Sequence, residues 1–483
     1  MQKTALDIHF IAIGGTGMAP LACLLKAAGH RVRGSDAPLY PPMSTLLENA
    51  GIEPLVGFDP SHLEPAPDLV VVGNAVPRTN AEALAVEERG LYRISMPQAL
   101  ARFVLHDKRP LVVAGTHGKT TTSSLAAWVW HDCGQKPGFL IGGIPRNLVT
   151  SFRHGDGPRF VIEGDEYNAA YFDRGPKFLH YGAETLILTN VEYDHADLYA
   201  NPEAASAAFE KLLDGLPETG LLVACGDSPG VRRIADRAPC RTVFYGLAEN
   251  NDVKPIQPLR QDSTGLTLTV DDSECGPIDI FLPMQGAHNA ANALGVWTAA
   301  RADGLPPDAV AAAMKRFEGV KRRAELLGTA GGIAVVDDFA HHPTEVAATL
   351  EGLRARFAGR RLVVVFEPRS LTASQNIFYD EYRQAFLGAD EVLLAPVFHA
   401  GRFPPDECLD VAGIAESLSS AGVPASLAES VDQLVERLPK RLQPNDVVVT
   451  MSPGNFDSLP HRLLAALKAR FPDRLETTAA EQG

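Results

Sequence analysis

The feature that most constrains this chain is a glycine-rich loop between a buried strand and a long helix. The strand is Leu111–Ala114, and the helix begins at Lys119 and runs to about Asp132. The loop and the first helical turn consist of Gly115, Thr116, His117, Gly118, Lys119, Thr120 and Thr121. Backbone N–H groups and a helix N-terminus meet phosphate charge in such loops. The pattern therefore predicts an ATP site, although Val113 stands where the strict pattern has its first glycine.

Two residues of this loop carry the predicted chemistry. We expect Lys119 to reach the β- and γ-phosphates of ATP, and the hydroxyl of Thr120 to bind Mg²⁺. The competing interpretation is a glycine-rich turn that only caps a helix. The Lys-Thr-Thr run in a strand–loop–helix context argues against that interpretation.

Polar side chains follow two further predicted strands. Glu163 opens a Glu-Gly-Asp-Glu run at the end of the strand that begins at Arg159, and Asp194 and His195 follow the strand Thr185–Thr189. Open α/β sheets bind ligands at the carboxyl ends of their strands, and Mg²⁺ prefers oxygen ligands. We therefore expect Glu163 and His195 to be functional. The alternatives are a solvated acidic turn and a structural histidine.

Residues nearer the C-terminus are candidates for nucleoside contacts. Asn289 and Asn292 are three positions apart near the start of a helix, so they share a face that could read a purine edge. Arg323 supplies positive charge, although exposed basic pairs are usually just solvated. Asp338 follows the strand Ile333–Val336 and could accept hydrogen bonds from ribose hydroxyls.

One arginine and a histidine pair are further candidates. Arg369 follows the strand Leu362–Phe366, where a guanidinium suits a carboxylate or a phosphate of a substrate. His341 and His342, with two aspartates before them, could also suggest a metal site. Adjacent histidines point in different directions in most backbones, so we do not favour that metal site.

A second glycine-rich turn follows the first predicted strand, Asp7–Ile13. It contains Gly15 and Gly17, and Asp36 follows about 20 positions later, as in a dinucleotide fingerprint. Pro20 replaces the third glycine of that fingerprint. The turn therefore predicts a site for a nucleotide diphosphate without nicotinamide chemistry.

Strands and helices alternate through most of the chain, which predicts an α/β fold of parallel sheets. The exception is Val253–Leu282, whose alternating apolar and polar residues predict antiparallel strands. Polar breaks near His106–Pro110 and Lys321–Gly328 divide the chain into three predicted domains. Their boundaries are 1–107, 108–323 and 324–483, and the tail 476–483 is expected to be frayed.

Composition limits the classes of binding partner that the chain can be expected to have. The 483 residues carry a formal net charge of −15, a field that does not favour nucleic acid or anionic membranes. No apolar run is long enough to span a bilayer, and the N-terminus lacks the order of a signal peptide. The six cysteines form no close pair and predict reduced thiols in a cytoplasmic protein rather than a zinc site.

Two nucleotide-type sites on one chain indicate a class of enzyme. Dehydrogenases need no ATP loop, and simple kinases need no second glycine-rich fold. An ATP-dependent ligase that acts on a nucleotide-activated substrate satisfies both observations. A nucleotide-binding regulatory protein without turnover is the alternative from another class, and a dehydrogenase is a more distant one.

The motifs as a set resemble the Mur ligases, ATP-dependent amide-forming enzymes of bacterial cell-wall biosynthesis. The resemblance covers nearly the whole chain and rests on the two glycine-rich turns, Glu163, Asp194-His195, His288-Asn289 and Asp337–Pro343, in that order. It implies a Rossmann-like N-terminal domain for a UDP-sugar, a central P-loop ATPase-type domain, and a Rossmann-like C-terminal domain. The last would close over ATP and bring the incoming amine.

Local sequence is closest to the branch of the family that uses a recovered peptide. The runs Glu163–Tyr167 and Phe366–Ser370 resemble the members that join L-alanyl-γ-D-glutamyl-meso-diaminopimelate to UDP-N-acetylmuramate in peptidoglycan recycling. Pro453 and Asn455 depart from that branch's C-terminal loop. The alternative is the branch that adds L-alanine to the same sugar nucleotide in de novo synthesis. Either role implies a place in cell wall biogenesis, cell shape, the cell cycle and cell division.

The resemblance also implies ligands and roles. It implies that ATP is a co-substrate with two Mg²⁺ ions, one held by Thr120 and Glu163 and the other by His195, and that Lys119, Glu163 and His195 are the catalytic residues. The implied ATP contacts are Gly115, Thr116, His117, Gly118, Lys119, Thr120, Thr121, Asn289, Asn292, Arg323 and Asp338. The implied UDP-sugar contacts are Gly15, Thr16, Gly17 and Met18, with Ser35, Asp36 and Asn74.

For the acceptor, the resemblance points to a muropeptide-derived tripeptide bound by Arg369 and His342. The base that deprotonates its amine stays open between His342 and His195. Some members carry a carbamylated lysine, and Lys211 lies near the expected spacing, but Glu210 is equally close. We expect a monomer or a weak homodimer.

Overall fold

The computed structural model describes residues 5–472, so the expected frayed tail 476–483 lies outside the described residues. Contacts within the chain divide it into two compact units. The first draws its described residues from Met1–Glu192, Pro202–Lys254 and Leu294–Ala313. The second draws them from Tyr193–Asn201, Pro255–Ala293 and Met314–Gly483. This division does not follow the three predicted domain boundaries, which stay a prediction.

The first unit opens with a sheet of five parallel strands in the order β3-β2-β1-β4-β5. The strands are β1 (Asp7–Ile11), β2 (Arg31–Asp36), β3 (Leu55–Val56), β4 (Leu69–Val72) and β5 (Arg93–Ser95). The helices between and after them are α1 (Met18–Ala27), α2 (Met43–Asn49), α3 (Ala81–Glu88) and α4 (Met96–Leu100). All four residues of β4 are buried apolar side chains, as expected for a parallel strand covered on both faces.

The same unit contains a seven-stranded sheet. Its strands are β6 (Arg109–Ala114), β7 (Gly138–Leu140), β8 (Phe152–Arg153), β9 (Arg159–Gly164), β12 (Thr185–Leu188), β13 (Leu221–Cys225) and β14 (Arg241–Tyr245), with the antiparallel pair β10 (Asn168–Ala170) and β11 (Asp173–Pro176) apart from it. The order is β14-β13-β12-β6-β9-β7-β8, and only β8 runs antiparallel to its neighbour. The helices are α5 (Lys119–Asp132), α6 (Pro202–Asp214) and α7 (Pro229–Ile234). The phosphate-type loop follows β6, which lies between β9 and β12.

The second unit contains a small antiparallel sheet and a large, mostly parallel one. The small sheet is β15 (Arg260–Gln261), β16 (Leu266–Asp272) and β17 (Gly276–Leu282), which confirms the antiparallel prediction for this stretch. Helices α8 (Ala287–Ala302) and α9 (Pro307–Lys315) follow in the chain, and the stretch Leu294–Ala313 belongs to the first unit. The large sheet is β18 (Glu325–Ala330), β19 (Ile333–Asp338), β20 (Arg361–Phe366), β21 (Glu391–Leu394), β22 (Ala425–Leu427) and β23 (Asp446–Met451).

In the large sheet the order is β18-β19-β23-β20-β21-β22, and only β18 is antiparallel. Successive valines face opposite sides: Val364 joins one buried apolar cluster, and Val363 joins the other. The first cluster includes side chains of α10 (Pro343–Arg356), α11 (Tyr379–Ala385) and α12 (Val411–Ser420). The second includes side chains of α13 (Val431–Arg441) and α14 (Leu459–Arg470). Helices therefore cover both faces, and the α/β prediction is confirmed.

Two differences from the sequence-based expectations have local causes. Helix α6 was not predicted, although Ala205, Ala208, Phe209 and Leu212 form the buried stripe of an amphipathic helix. The predicted break Lys321–Gly328 overlaps β18, which pairs with β19 through a glycine turn at 331–332. A short edge strand with a register shift lacks the apolar run that marks the central strands.

Within residues 5–472, no helix combines the length and the hydropathy needed to cross a membrane.

A buried ion pair in the first unit joins β9, α5 and Asp303, the residue that follows α8. Arg159 at the start of β9 donates from Nε to Asp303 Oδ2 at 2.5 Å and makes a second contact through Nη2. The indole N–H of Trp130 on α5 donates to the same carboxylate at 3.0 Å. Arg159 and Trp130 are 4% and 1% exposed, so neither can turn to water without disturbing the core.

We therefore expect Asp303→Ala to lower the free energy of unfolding by about 3 kcal/mol, because a buried guanidinium and a buried indole N–H lose their acceptor. Chemical denaturation measures this change. Asp236→Ala, which removes an exposed carboxylate of the same unit, is the control and should change stability by less than about 0.5 kcal/mol. Equal stabilities of the two variants would contradict the interpretation.

Candidate active site

Glycine is required at both ends of the loop that follows β6. Gly115 has φ +135°, and a Cβ there would lie 2.1 Å from Thr189 Oγ1 and 2.9 Å from the backbone N of Asn190. Gly118 has φ +77° and immediately precedes α5. The loop thus turns sharply and presents the N-terminus of a helix, the geometry that phosphate-binding loops use.

The end of β12 holds this loop in place. Thr189 Oγ1 donates to the carbonyl oxygen of His117 at 2.6 Å, and the N–H of His117 donates to Asn190 Oδ1 at 2.8 Å. The N–H of Glu192 donates to Thr116 Oγ1 at 2.9 Å. The polar residues that follow β12 therefore hold the loop in its conformation without a bound ligand.

Lys119 lies at the centre of the site. Its Nζ donates to the carbonyl oxygens of Gly115 and Thr116, at 2.6 and 2.9 Å, and pairs with Glu166 at 2.9 Å. Burial opposes the charged ammonium, but Glu166 and then Asp165 and Glu163 outweigh it and raise the pKa of Lys119. The lysine is therefore a permanent cation at the mouth of the loop.

A pair of oxygen ligands lies beside this cation. Thr120 Oγ1 donates to Glu163 Oε1 at 2.8 Å, and the other oxygen of Glu163 accepts the N–H of Gly142 at 2.8 Å. Parallel pairing places Glu163 opposite Val113, two residues before Gly115. A hydroxyl and a carboxylate in contact at a phosphate loop form a hard oxygen set that fits Mg²⁺.

The next carboxylate has a different function. Lys177 Nζ pairs with Asp165 Oδ2 at 2.8 Å. Burial would raise the pKa of Asp165, but Lys177 and the N–H of Tyr167 hold that pKa below its usual value. Asp165 therefore stays ionised and fixes the acidic run, while Glu163 and Glu166 point to Thr120 and Lys119.

The N-terminal turn is built differently. The N–H of Gly14 donates to Asp36 Oδ2 at 2.7 Å, so the acidic residue closes the turn from the neighbouring strand. Gly15, Thr16 and Asn74 are exposed, and Met18 begins α1 as a buried residue. Gly17 precedes α1, where a Cβ would lie 2.8 Å from Met96 Cε.

Ser35 does not share this exposed surface. Its side chain is fully buried, and Oγ donates to Glu82 Oε2 at 2.5 Å. Its carbonyl oxygen accepts the N–H groups of Ala12 and Ile13, just before the turn. The geometry therefore supports a positioning role for Ser35 and gives no support to a direct contact with a UDP-sugar.

Glu82, which the sequence interpretation missed, is the hub behind this turn. Besides Ser35 it contacts His9 Nε2 at 3.1 Å and His62 Nδ1 at 2.8 Å, and it accepts the N–H of Asp59 at 3.1 Å. Burial would raise the pKa of Glu82, but its partners, His9 first, hold that pKa below its usual value. In sequence Glu82 has the appearance of a solvated residue in the first turn of α3, and no local pattern marks it.

The predicted nucleoside contacts lie in the second unit. Asn289 Nδ2 donates to the carbonyl oxygen of Gln285 at 2.8 Å, and Asn292 Nδ2 contacts Asn289 Oδ1 at 3.4 Å, so the two asparagines share a face as expected. Arg323 lies 3.7 Å from Glu345 and 4.9 Å from the ring centroid of Phe339.

The carboxylate of Asp338 is bound by backbone N–H groups of other residues in the second unit. It accepts the N–H groups of Ala324 and Ala340, at 2.6 and 2.7 Å, and contacts the hydroxyl of Thr349 at 3.3 Å. Burial raises the pKa of Asp338 to about 6, against the opposing effect of Arg323. Only 3% of this residue is exposed, and its contacts hold the backbone at Ala324, directly after Arg323, while the ribose contact stays a prediction.

His195 also lies in the second unit, with a left-handed backbone (φ +54°). Its N–H donates to Asp194 Oδ1 at 2.6 Å, and His341 Nε2 lies 4.0 Å from the other oxygen of Asp194. His342 is buried, caps α10 by accepting the N–H of Thr344 at 3.3 Å, and packs against the ring of Phe378. The predicted metal, base and peptide roles of His195 and His342 stay predictions.

Arg369 occupies a shaped position after β20. Its guanidinium carbon lies 3.9 Å from the ring centroid of Phe398, and Nη1 lies 3.5 Å from Glu367. Glu367 also accepts the hydroxyl of Ser452 at 2.5 Å. A Cβ on Gly454 would lie 2.3 Å from Arg369 Nε, so this glycine makes room for the arginine.

Within the first unit, the structure therefore brings together the loop 115–121, Glu163 and Glu166, and separately the turn 14–18 with Asp36. Within the second, it pairs Asn289 with Asn292 and places Arg323 by Asp338. Glu163 was identified from the sequence, but the pairing of Glu166 with Lys119 was not. The acidic run was its signal, since a buried lysine needs a carboxylate near it.

Comparison with known families gives three consecutive matches. The Mur ligase family catalytic domain matches residues 7–108, the Mur ligase middle domain matches 113–300, and the Mur ligase glutamate ligase domain matches 322–454.

Individual relatives match over nearly the full length. An Escherichia coli UDP-N-acetylmuramate–L-alanyl-γ-D-glutamyl-meso-2,6-diaminoheptandioate ligase is 40% identical, across 96% of this chain and 98% of the relative. A Mycolicibacterium gilvum UDP-N-acetylmuramate–L-alanine ligase is 35% identical, across 96% of this chain and 97% of the relative. The crystal structure of a murein peptide ligase from Psychrobacter arcticus is 35% identical with a TM-score of 0.72, across 96% and 99%. The chain therefore belongs to the Mur ligase family, and it is an ATP-dependent, amide-forming ligase with that family's three-domain α/β fold.

Proposed function

We propose that this chain joins the tripeptide L-alanyl-γ-D-glutamyl-meso-diaminopimelate to UDP-N-acetylmuramate, at the expense of ATP, in the recycling of peptidoglycan. The observation that carries the acceptor is the 40% identity, over 96% of the chain, to a relative whose name specifies that tripeptide. The observation that carries the chemistry is the contact of Lys119 with its loop and Glu166, beside Thr120 and Glu163.

In the proposed first step, the lactyl carboxylate of the sugar nucleotide attacks the γ-phosphorus of ATP. A P–O bond forms, the bond to the β-phosphate oxygen breaks, and ADP leaves, so the product is an acyl phosphate. Lys119 neutralises charge that develops on the phosphoryl oxygens, and the N-terminus of α5 adds its partial positive charge. Glu166 holds the ammonium in place before ATP binds.

In the second step, the α-amine of the tripeptide attacks the acyl carbon. The tetrahedral intermediate expels inorganic phosphate, and the amine loses a proton as the amide forms. His342 and His195 are the two candidate acceptors of that proton. Arg369, aligned by Phe398 and Glu367, would bind a carboxylate of the tripeptide.

Mur ligases use Mg²⁺ with ATP. In this chain Thr120 and Glu163 fit one ion, because their oxygens already lie 2.8 Å apart beside the loop. A bound Mg²⁺ would screen the phosphate charge and orient the γ-phosphate for attack. A second ion at His195 is part of the proposal and rests on the family resemblance.

The sugar nucleotide is assigned to the N-terminal turn. Gly15, Thr16 and Gly17 would offer backbone N–H groups to the diphosphate at the start of α1, and Asp36 closes the turn through Gly14. Asn74 is exposed at the end of the adjacent strand β4 and would contact the same ligand.

The second candidate is the L-alanine ligase, which the same comparisons favour at 35% identity over 96% of the chain. It uses the same chemistry with a smaller acceptor. The two functions are therefore separated only by the acceptor.

We expect Lys119→Ala to lower ADP formation by at least about 10²–10³-fold, because one preorganised cation at the transferring phosphoryl group is lost. Binding of UDP-N-acetylmuramate, measured by calorimetry, should stay within about twofold of the wild-type value. Lys468→Ala, on the exposed surface of α14, is the control with unchanged turnover. Normal ADP formation by Lys119→Ala would contradict the role of the loop.

The acceptor is tested by phosphate release with ATP, Mg²⁺ and UDP-N-acetylmuramate, in parallel reactions with L-alanine or with the tripeptide. We expect turnover only with the tripeptide, and mass spectrometry should detect the UDP-muramyl-tripeptide. Turnover with L-alanine alone would replace the proposed function by the second candidate. No phosphate release with either acceptor would overturn the ligase assignment for these substrates.

A further inference from the structure

The antiparallel hairpin β10–β11 belongs to neither of the two parallel sheets of the first unit, and its base adjoins the phosphate loop. The N–H of Lys177 donates to the carbonyl oxygen of Tyr167 at 3.0 Å, and the Lys177 ammonium pairs with Asp165 at 2.8 Å. Glu166, the partner of Lys119, lies between Asp165 and Tyr167 in the chain. The base of the hairpin therefore holds the backbone that carries the carboxylate of the phosphate-loop lysine.

The tip of the same hairpin packs against the N-terminal sheet. Tyr171 and Phe172 contact the buried apolar cluster that side chains of β1, β4 and α3 form. The hydroxyl of Tyr171 donates to Glu87 Oε1 on α3 at 3.2 Å, and Arg93 of β5 lies 3.1 Å from the same oxygen. The guanidinium carbon of Arg93 lies 4.9 Å from the ring centroid of Phe172. Apolar packing and a charged contact together attach the tip to that sheet.

Asp173 connects the hairpin to the strand end beside the N-terminal turn. Its Oδ2 accepts the hydroxyl of Ser95, the buried last residue of β5, at 3.1 Å and lies 2.8 Å from His180 Nε2. Met96 follows Ser95, and its Cε lies 2.8 Å from the position of a Cβ on Gly17. One carboxylate thus links the surroundings of the turn assigned to the sugar nucleotide with the segment that leaves the hairpin.

We propose that Asp173 is a positioning residue that couples occupancy of the sugar-nucleotide turn to ATP binding at the phosphate loop. The inference rests on the proposed function, which assigns the turn 14–18 to UDP-N-acetylmuramate. A ligand at this turn would restrain Met96 and Ser95, and Asp173 would pass that restraint to the hairpin, whose base holds the acidic run. Chains of packed side chains and hydrogen bonds carry such coupling energies, and the coupling acts equally in both directions.

The proposed chemistry gives this coupling a purpose. ATP that is bound without the sugar nucleotide can transfer its γ-phosphate only to water. If each ligand tightens the binding of the other, the protein favours the state in which both reactants are present. The fraction of ATP that is bound without its acyl partner then falls.

The test measures binding to the full chain by calorimetry. The β,γ-imido analogue of ATP, with Mg²⁺, is titrated into free protein and into protein saturated with UDP-N-acetylmuramate. The coupling factor is the dissociation constant for free protein divided by that for saturated protein. The variants are Asp173→Asn, which keeps the size of the side chain and removes its charge, and His180→Gln. The control is Asp156→Asn, which changes an exposed carboxylate between β8 and β9.

We expect a coupling factor of about ten for the wild type, within the range typical of coupled sites. Asp173→Asn should lower the factor to within about twofold of one, because Ser95 and His180 lose the anion that they share. Each ligand alone should bind Asp173→Asn within about twofold of its wild-type dissociation constant. His180→Gln should also lower the factor, and it carries the test if Asp173→Asn does not fold. Asp156→Asn should match the wild type.

Failure of the inference and failure of the proposed function give different results. A wild-type factor of one, or the full wild-type factor in Asp173→Asn and His180→Gln, would overturn the coupling and leave the function standing. Weaker binding of each ligand alone with an unchanged factor would also overturn it, because Asp173 would then have only a structural role. If the wild type does not bind UDP-N-acetylmuramate, the proposed function fails and the inference fails with it.

Discussion

A buried ammonium group must be neutralised, and the phosphate loop of this chain is organised around that requirement. Lys119 is paired with Glu166 and bound by two carbonyl oxygens of its own loop before any ligand is present. The same contacts aim the charge at the start of α5, where phosphate oxygens are expected. Gly115 has to be a glycine because its backbone passes within van der Waals distance of Thr189 and Asn190. The charge of Lys119, the backbone conformation at Gly115 and the geometry of the phosphate loop therefore depend on one another.

Parallel pairing determines which side chains can reach this cation. The register of β6 with β9 places Glu163 beside the loop, and the end of β12 supplies the hydrogen bonds that hold it. The N-terminal turn, residues 14–18, has no corresponding lysine. There Asp36 closes the turn directly, and the buried carboxylate of Glu82 holds the strand behind it through Ser35. One turn presents a cation, and the other presents backbone N–H groups.

Much of the fold was predictable because its signals are local. Buried apolar runs marked strands such as β4 and β21, and the loop before Lys119 marked the start of α5. Helix α6 was equally visible in its apolar stripe and was missed. The edge strand β18 was not visible, because its pairing depends on β19 and not on its own composition. Within the site, Glu163 was identified from its position after a strand. Ser35 and Asp338, which were expected to bind ligand, hydrogen-bond to groups of the chain itself, and their ligand contacts stay predictions.

The sequence by itself determined the α/β class, the two glycine-rich turns and the residues that follow each strand, because strand and helix periodicity and the need for glycine at positive φ are properties of short segments. Only the tertiary structure decided the partners: Glu166 for Lys119, Glu82 for Ser35, and Phe398 for Arg369. These pairs join residues 29 to 47 positions apart. The energy of such contacts comes from burial and from neutralised charge, which exist only once distant segments have packed.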